Sequence, residues 1–257
     1  EKERLLAAIG RPYGMVLVTG PTGSGKTTTL YSTLKQLATP AVNVCTIEDP
    51  IEMVEPAFNQ MQVQKAIDLD FAEGVRALMR QDPDIIMVGE VRDLETAEVT
   101  IQAALTGHLV LSTLHTNDAP AAVTRMLDLG MPSYLISATV LGVMAQRLVR
   151  VLCPSCKKAS PATPEDEAMW DRLVAPWKAN RPSQFHHPVG CLDCRMTGYR
   201  GRVGIYEILM LSPDMKQAIS DNADVAKIRD LAYREGMKPL RISGAMKVAA
   251  GVTTLAE

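Results

Sequence analysis

From Met15 to about Leu148, short apolar runs alternate with longer stretches in which apolar positions recur every three or four residues. The runs at residues 15–19, 43–47, 85–88 and 109–113 predict strands, and the stretches 26–38, 71–79, 94–105, 119–129 and 133–146 predict helices. Strands and helices alternating at this spacing predict βα units and a mostly parallel sheet. Two helix starts carry local signals. Asp70 with Glu73 three residues on forms a capping box, and Asp118 caps the helix opening at Ala119.

After Val151 the texture changes. Ser160-Pro-Ala-Thr-Pro164, Pro176, Pro182 and Pro188 fill a stretch bounded by two cysteine pairs, and Gly198-Tyr-Arg-Gly-Arg-Val-Gly-Ile-Tyr206 reads as a turn feeding a strand. From Ser212 onward helix formers dominate, with Gly236 and Gly244 as interruptions. The chain therefore divides by composition into residues 1–150, an α/β core; 151–206, a small metal-pinned segment; and 207–257, a helical region. There is no internal repeat and no low-complexity segment.

Composition narrows the function. Lys plus Arg number 27 against 29 Asp plus Glu, a net charge of −2, so no surface suited to coating nucleic acid is indicated. Aromatics are only 4% and no basic run is interleaved with them, which weighs against single-stranded nucleic-acid binding. Hydrophobic residues at 47% suffice for a buried core. The longest apolar stretch, around Leu135 to Val143, falls short of the ~20 residues of a membrane helix, and Glu1-Lys-Glu-Arg4 is not a signal sequence. The chain reads as cytoplasmic.

Gly20-Pro-Thr-Gly-Ser-Gly-Lys-Thr27 matches the phosphate-loop pattern G-x-x-x-x-G-K-[ST], between a predicted strand and a predicted helix as its mechanism requires. Glycines let backbone amides turn inward around phosphate oxygens, and the helix N-terminus adds positive potential. Lys26 reaches the β- and γ-phosphates of ATP and the Thr27 hydroxyl ligates Mg²⁺. The nucleotide contacts are expected from Gly20, Pro21, Thr22, Gly23, Ser24, Gly25, Lys26, Thr27 and Thr28.

Ligands of an open parallel sheet bind beyond the carboxyl ends of its strands. The second run is followed by Glu48-Asp-Pro-Ile-Glu52, the third by Gly89-Glu-Val-Arg-Asp93, and the fourth by His115. Glu90 takes the post beside Mg²⁺, the general base, or both, while Glu48, Asp49 and Glu52 compete for the base. His115 can sense the γ-phosphate; His108, at the start of its strand, should lie farther away.

Four of five cysteines form Cys153-Pro-Ser-Cys156 and Cys191-Leu-Asp-Cys194, a spacing that gathers four thiolates around a structural Zn²⁺ with no open position. The 34 residues between the pairs call for a loop or short helix rather than a simple hairpin, and His186 or His187 could replace one cysteine. Cys45 reads as a buried small hydrophobe.

Taken together, residues 18–29, 46–52, 80–93 and 105–118 resemble the Walker A, aspartate-box, Walker B and histidine-box segments of the type II secretion and type IV pilus assembly ATPases. The resemblance implies a P-loop NTPase core of RecA-like fold with a zinc subdomain and a helical C-terminal region. It implies a cytoplasmic homo-hexamer peripheral to the inner membrane, docked on a platform protein there, in which ATP hydrolysis powers assembly of a pilus or pseudopilus. It assigns Lys26 and Thr27 to nucleotide and Mg²⁺, Glu90 to Walker B catalysis, Glu48 and Glu52 to the acidic box and His115 to the histidine box. The cysteine pairs favour assembly over retraction motors. A DNA-moving ring ATPase and a nucleotide-controlled binding switch are the alternatives. The family's N-terminal domains are missing, so the chain looks like the C-terminal ATPase region of a longer protein, with Arg76, Arg80, Arg92 and Arg147 as candidate arginines acting across subunits.

Overall fold

The computed structural model describes residues 2–177 and 179–257. In chain order it contains α1 (Lys2–Ile9), β1 (Gly14–Thr19), α2 (Lys26–Leu37), β2 (Val44–Glu48), β3 (Asn59–Gln62), α3 (Phe71–Leu78), β4 (Ile85–Val88), α4 (Leu94–Leu105), β5 (Leu109–Leu114), α5 (Ala119–Asp128), α6 (Ser133–Thr139) and β6 (Val140–Leu152). Then follow β7 (Lys158–Pro161), α7 (Pro164–Val174), β8 (Gln184–His187), β9 (Tyr199–Met210), α8 (Pro213–Ser220), α9 (Val225–Arg234) and α10 (Leu240–Ala249). Two compact units emerge: Glu1–Ala145 with Ile208–Met237, and Gln146–Glu207 with Lys238–Glu257. They cut the chain differently from the consecutive segments drawn from composition, since α8 and α9 go with the first unit and α10 with the second.

The sheet runs β3-β2-β4-β5-β1-β6-β9, and β3 through β6 pair in parallel. Every residue of β1, β2, β4 and β5 is buried. These strands are therefore continuous apolar runs rather than alternating ones, as expected of a parallel sheet covered on both faces. Helix α3 lies so close to β2 that a Cβ at Gly74 would come within 2.6 Å of Ile47 Cγ1. Asp70, Asp93 and Asp118 cap α3, α4 and α5 through the backbone N–H groups of Glu73, Thr96 and Ala121. The Glu73 carboxylate turns to Arg76 instead of closing a box.

Residues 133–146 do not form one helix. α6 stops at Thr139, and Val140 opens β6 beside β1, with Val143 opposite Leu17. An unbroken apolar run has no period that separates a buried helix from a buried strand. Val140 and Val143 are stiff, β-branched residues suited to the sheet, and Gly142, costly in a helix, brings its backbone near the Leu209 carbonyl. Edge strand β3 carries no apolar signal in the sequence, because Asn59-Gln-Met-Gln62 is polar and joins β2 through its backbone.

α8 and α9 complete the first unit. Ser137 Oγ donates to the Lys216 carbonyl at 3.0 Å, and Arg229 Nη2 lies 2.8 Å from Asp118 Oδ2. In the second unit β7 and β8 pair antiparallel, with α7 spliced between them, so a helix-bearing hairpin joins the cysteine pairs. α7 opens on a capping box, Thr163 with Asp166. Trp170, Val174, Phe185, Ile242, Ala245 and Val248 form this unit's apolar cluster. Among the described residues no helix is long and apolar enough to cross a membrane.

Candidate nucleotide site and tetracysteine cluster

The loop after β1 is shaped by glycines in the left-handed region, Gly23 at φ 77° and Gly25 at φ 84°. Gly25 sits at the N-cap of α2 with no side-chain cap, so the first-turn amides of a twelve-residue helix are left to a ligand. Lys26 Nζ donates to the carbonyls of Gly20 at 2.9 Å and Pro21 at 3.2 Å. Burial holds the Lys26 amine below its usual value, against the opposing pull of Glu90. Thr27 is half-buried at the first turn and Thr28 exposed. Pro21 and Thr22 form the exposed rim of the loop, and Ser24, buried, donates its N–H to the Pro21 carbonyl at 3.2 Å.

The ends of β1, β4 and β5 are stitched together. Thr19 Oγ1 accepts from the Thr116 N–H at 2.9 Å, and Thr113 Oγ1 donates to the Gly89 carbonyl at 2.7 Å. Gly89 N–H donates to Ile47 and Val91 N–H to Thr113, so the backbone on both sides of Glu90 is pinned. The Glu90 carboxylate is 13% exposed, pairs with the Arg92 guanidinium and lies 3.6 Å from His115 Nε2. Burial lowers the His115 imidazole, Lys26 and Arg92 lower it further, and Glu90 opposes them. Lys26, Glu90, Arg92 and His115 thus converge at one sheet edge, as the strand ends implied.

Glu48 is different. It is 4% exposed, and its Oε1 accepts from Thr46 at 2.6 Å, Tyr31 at 3.0 Å and Gln60 at 3.2 Å, while Oε2 accepts from Tyr31 at 2.7 Å. It is walled in rather than presented to solvent, whereas Asp49 and Glu52 are exposed. Burial, together with the bond to Glu48 and its charge, pushes the Tyr31 phenol up, so it stays a donor. Nothing in the sequence marks Thr46 and Gln60 as partners of Glu48, and the one sign for Tyr31 is a lone tyrosine closing the run Lys26-Thr-Thr-Thr-Leu-Tyr31.

His108 lies at the opposite end of β5, its Nδ1 2.9 Å from the Ala103 carbonyl. Arg76 is taken up by Glu73 and Glu95, Arg80 is exposed, and Arg147 lies on β6 in the second unit.

In the second unit the Sγ atoms of Cys153, Cys156, Cys191 and Cys194 all lie within 4.8 Å of one another. The Cys153–Cys191 and Cys156–Cys194 separations are 3.8 Å, and Cys191–Cys194 is 3.7 Å. A tetrahedron of Zn–S bonds of about 2.3 Å has edges of about 3.8 Å, so the sulfurs fit that ion. Gly190 N–H donates to Cys156 Sγ at 3.3 Å, and the N–H groups of Cys191 and Gly198 donate to Cys194 Sγ at 3.2 Å each. Burial pushes the Cys194 thiol up, but these amides and the neighbouring sulfurs overcome it and bring it down to about 6. His186 is not part of the cluster; its ring lies against Gly251.

The chain is 62% identical over 245 residues to the type IV pilus assembly ATPase TfpB of Acinetobacter baylyi, covering 95% of this chain and 41% of that protein. It is 48% identical over 259 residues to the type II secretion system protein E of Pseudomonas aeruginosa, covering all of this chain and 50% of that one. It thus spans half or less of the length of these relatives. The crystal structure of the pilus retraction motor PilT with bound ADP superposes with a TM-score of 0.72 at 30% identity, over 99% of this chain and 62% of PilT. The family model described as type II/IV secretion system protein matches residues 1–257, and the chain belongs to that family.

Proposed function

We propose that this chain is the ATP-hydrolysing part of a longer cytoplasmic motor that powers assembly of a type IV pilus or a type II secretion pseudopilus. The observation that carries the proposal is the convergence of Lys26, on a glycine-shaped loop, with Glu90 and His115 at the carboxyl edge of a parallel sheet. In this reading residues 20–28 hold the phosphates and Lys26 neutralises charge developing on the β- and γ-phosphates. Thr27 would ligate Mg²⁺, which supplies further neutralisation. Glu90 accepts a proton from water as the water oxygen bonds to the γ-phosphorus; the bond to the β-phosphate oxygen breaks, and ADP and phosphate leave. His115, largely uncharged near neutral pH, faces the γ-phosphate. Glu48 is a buried anchor and Glu52 a solvent-facing member of the acidic box.

The tetracysteine cluster would hold one structural Zn²⁺. Identity of 62% to an assembly ATPase against 30% to the retraction motor supports assembly. The motor reading carries with it a homo-hexamer of the full-length protein, peripheral to the inner membrane through a platform protein.

The test compares ATP binding and turnover in the wild type, Lys26→Ala and Glu90→Gln. Glu90→Gln should still bind ATP while turnover falls about 10²–10⁴-fold, and Lys26→Ala should lose binding as well. Turnover near wild type in Glu90→Gln would remove Glu90 as the base. Tight ATP binding without turnover at any protein concentration would favour the binding switch.

A further inference from the structure

The acidic loop, residues 49–57, is not held by burial of its own side chains, since Met53 is 44% and Val54 86% exposed. Polar straps from two elements hold it. On α2, Tyr31 and Lys35 stand four residues apart and so share a face. Lys35 Nζ lies 2.5 Å from Glu55 Oε2, and the Tyr31 hydroxyl lies 2.9 Å from the Met53 carbonyl. On β3, Gln60 and Gln62 alternate onto one face. Gln60 Nε2 donates to the Met53 carbonyl at 2.9 Å and to the Tyr31 oxygen at 2.8 Å, and its Oε1 accepts from the Glu55 N–H at 2.7 Å. Gln62 Oε1 accepts from the Ile51 N–H at 3.1 Å.

Tyr31 is the centre of this arrangement. The residue is 2% exposed and its ring packs against Phe58, with centroids 5.7 Å apart. The phenol has one proton and three acceptors within 3.0 Å, namely both Glu48 oxygens and the Met53 carbonyl. It can serve either the buried end of β2 or the exposed loop. It also stands about 1.4 turns from Lys26 on the same helix, which offers a route from the phosphate loop to the acidic loop that does not pass through the sheet.

We infer that Tyr31 is a positioning residue whose hydroxyl ties the acidic loop, and with it Asp49 and Glu52, to the nucleotide end of α2. The inference rests on residues 20–28 being a nucleotide site. It makes the acidic loop responsive to what the phosphate loop holds.

The experiment is backbone hydrogen exchange of the chain with and without a non-hydrolysable ATP analogue and Mg²⁺, with ATP turnover in parallel. In the wild type the analogue should slow exchange in residues 20–28 and in 49–57. In Tyr31→Phe, which keeps the ring, protection of 20–28 should persist while that of 49–57 is lost. Turnover should fall about 10- to 100-fold, the scale of a charged group misplaced beside the reacting site, with KM for ATP within about twofold. Gln60→Leu, which leaves Tyr31 in place but removes the second strap, should move the same segment. A purely structural loss would speed exchange across the sheet and raise KM. Unchanged loop exchange or unchanged turnover in Tyr31→Phe overturns the inference. A wild type in which the analogue protects neither segment sinks the nucleotide-site reading, and this inference with it.

Discussion

The two units fix their functional atoms by different means. In the first, four wholly buried strands pack between helices, and the site is assembled from what those strands do at their ends: a glycine-shaped loop, a pinned Glu90, a Thr19 hydroxyl bonded across to Thr116. In the second, a smaller apolar cluster gathers around Trp170 and Phe185, and the cysteines are held by local turns and amide-to-sulfur bonds. Buried area stabilises the first in proportion to its size, whereas small cores need a staple. Geometry at the nucleotide loop should therefore survive injury to the tetracysteine cluster.

Metal removal is the largest expected perturbation. Both tryptophans, Trp170 and Trp177, belong to the second unit, so their fluorescence reports on it alone. Cys153→Ser or a strong chelator should abolish its folding transition, since zinc contributes on the order of 10 kcal/mol to small domains of this kind. ATP affinity should stay within about twofold of wild type. A chain that holds no zinc yet keeps its tryptophan transition would erase the contrast between the units.

A gentler perturbation exchanges the helix caps. Thr163→Ala opens the box at the start of α7 and Asp93→Ala uncaps α4. Each should cost about 1 kcal/mol, the first seen by tryptophan fluorescence and the second by far-ultraviolet dichroism of the larger unit. Equal shifts in both signals from either variant would mean that the units unfold together.

The smallest effect is in pH. Burial and then Lys26 lower the His115 imidazole, so the native chain takes up this proton less readily than the unfolded chain. Its contribution to stability is therefore complete above about pH 6.5, the ordinary histidine value, and is lost as pH falls below that toward the lowered native value. His115→Asn should flatten that limb of the melting-temperature profile in the first unit and leave the tryptophan signal unchanged.

Much of the first unit was legible because its strands are unmixed apolar runs ending in chemically distinctive residues. Lys26, Glu90 and His115 could be placed at one edge from spacing alone, as could the four cysteines in one cluster. What escaped has physical causes. β6 shares its apolar run with α6, and only the open edge of β1 decides where helix gives way to strand. β3 is polar because it lies at the sheet edge, where backbone pairing needs no apolar side chain. The burial of Glu48 depends on Tyr31, Thr46 and Gln60, which come from three separate elements. A carboxylate in a Glu-Asp-Pro-Ile-Glu string looks exposed until those partners are known.

The division of the chain also sets an order of birth. β6 and β9 are neighbours in the sheet, yet residues 146–207 separate the segments that build the first unit. At ribosomal rates of about 5–20 residues per second, α8 and α9 emerge several seconds after β6. All four cysteines precede them. During synthesis, therefore, all four thiols are available to a metal ion while the first unit still lacks α8 and α9, and a cell short of metal would meet any defect in chains that are not yet finished.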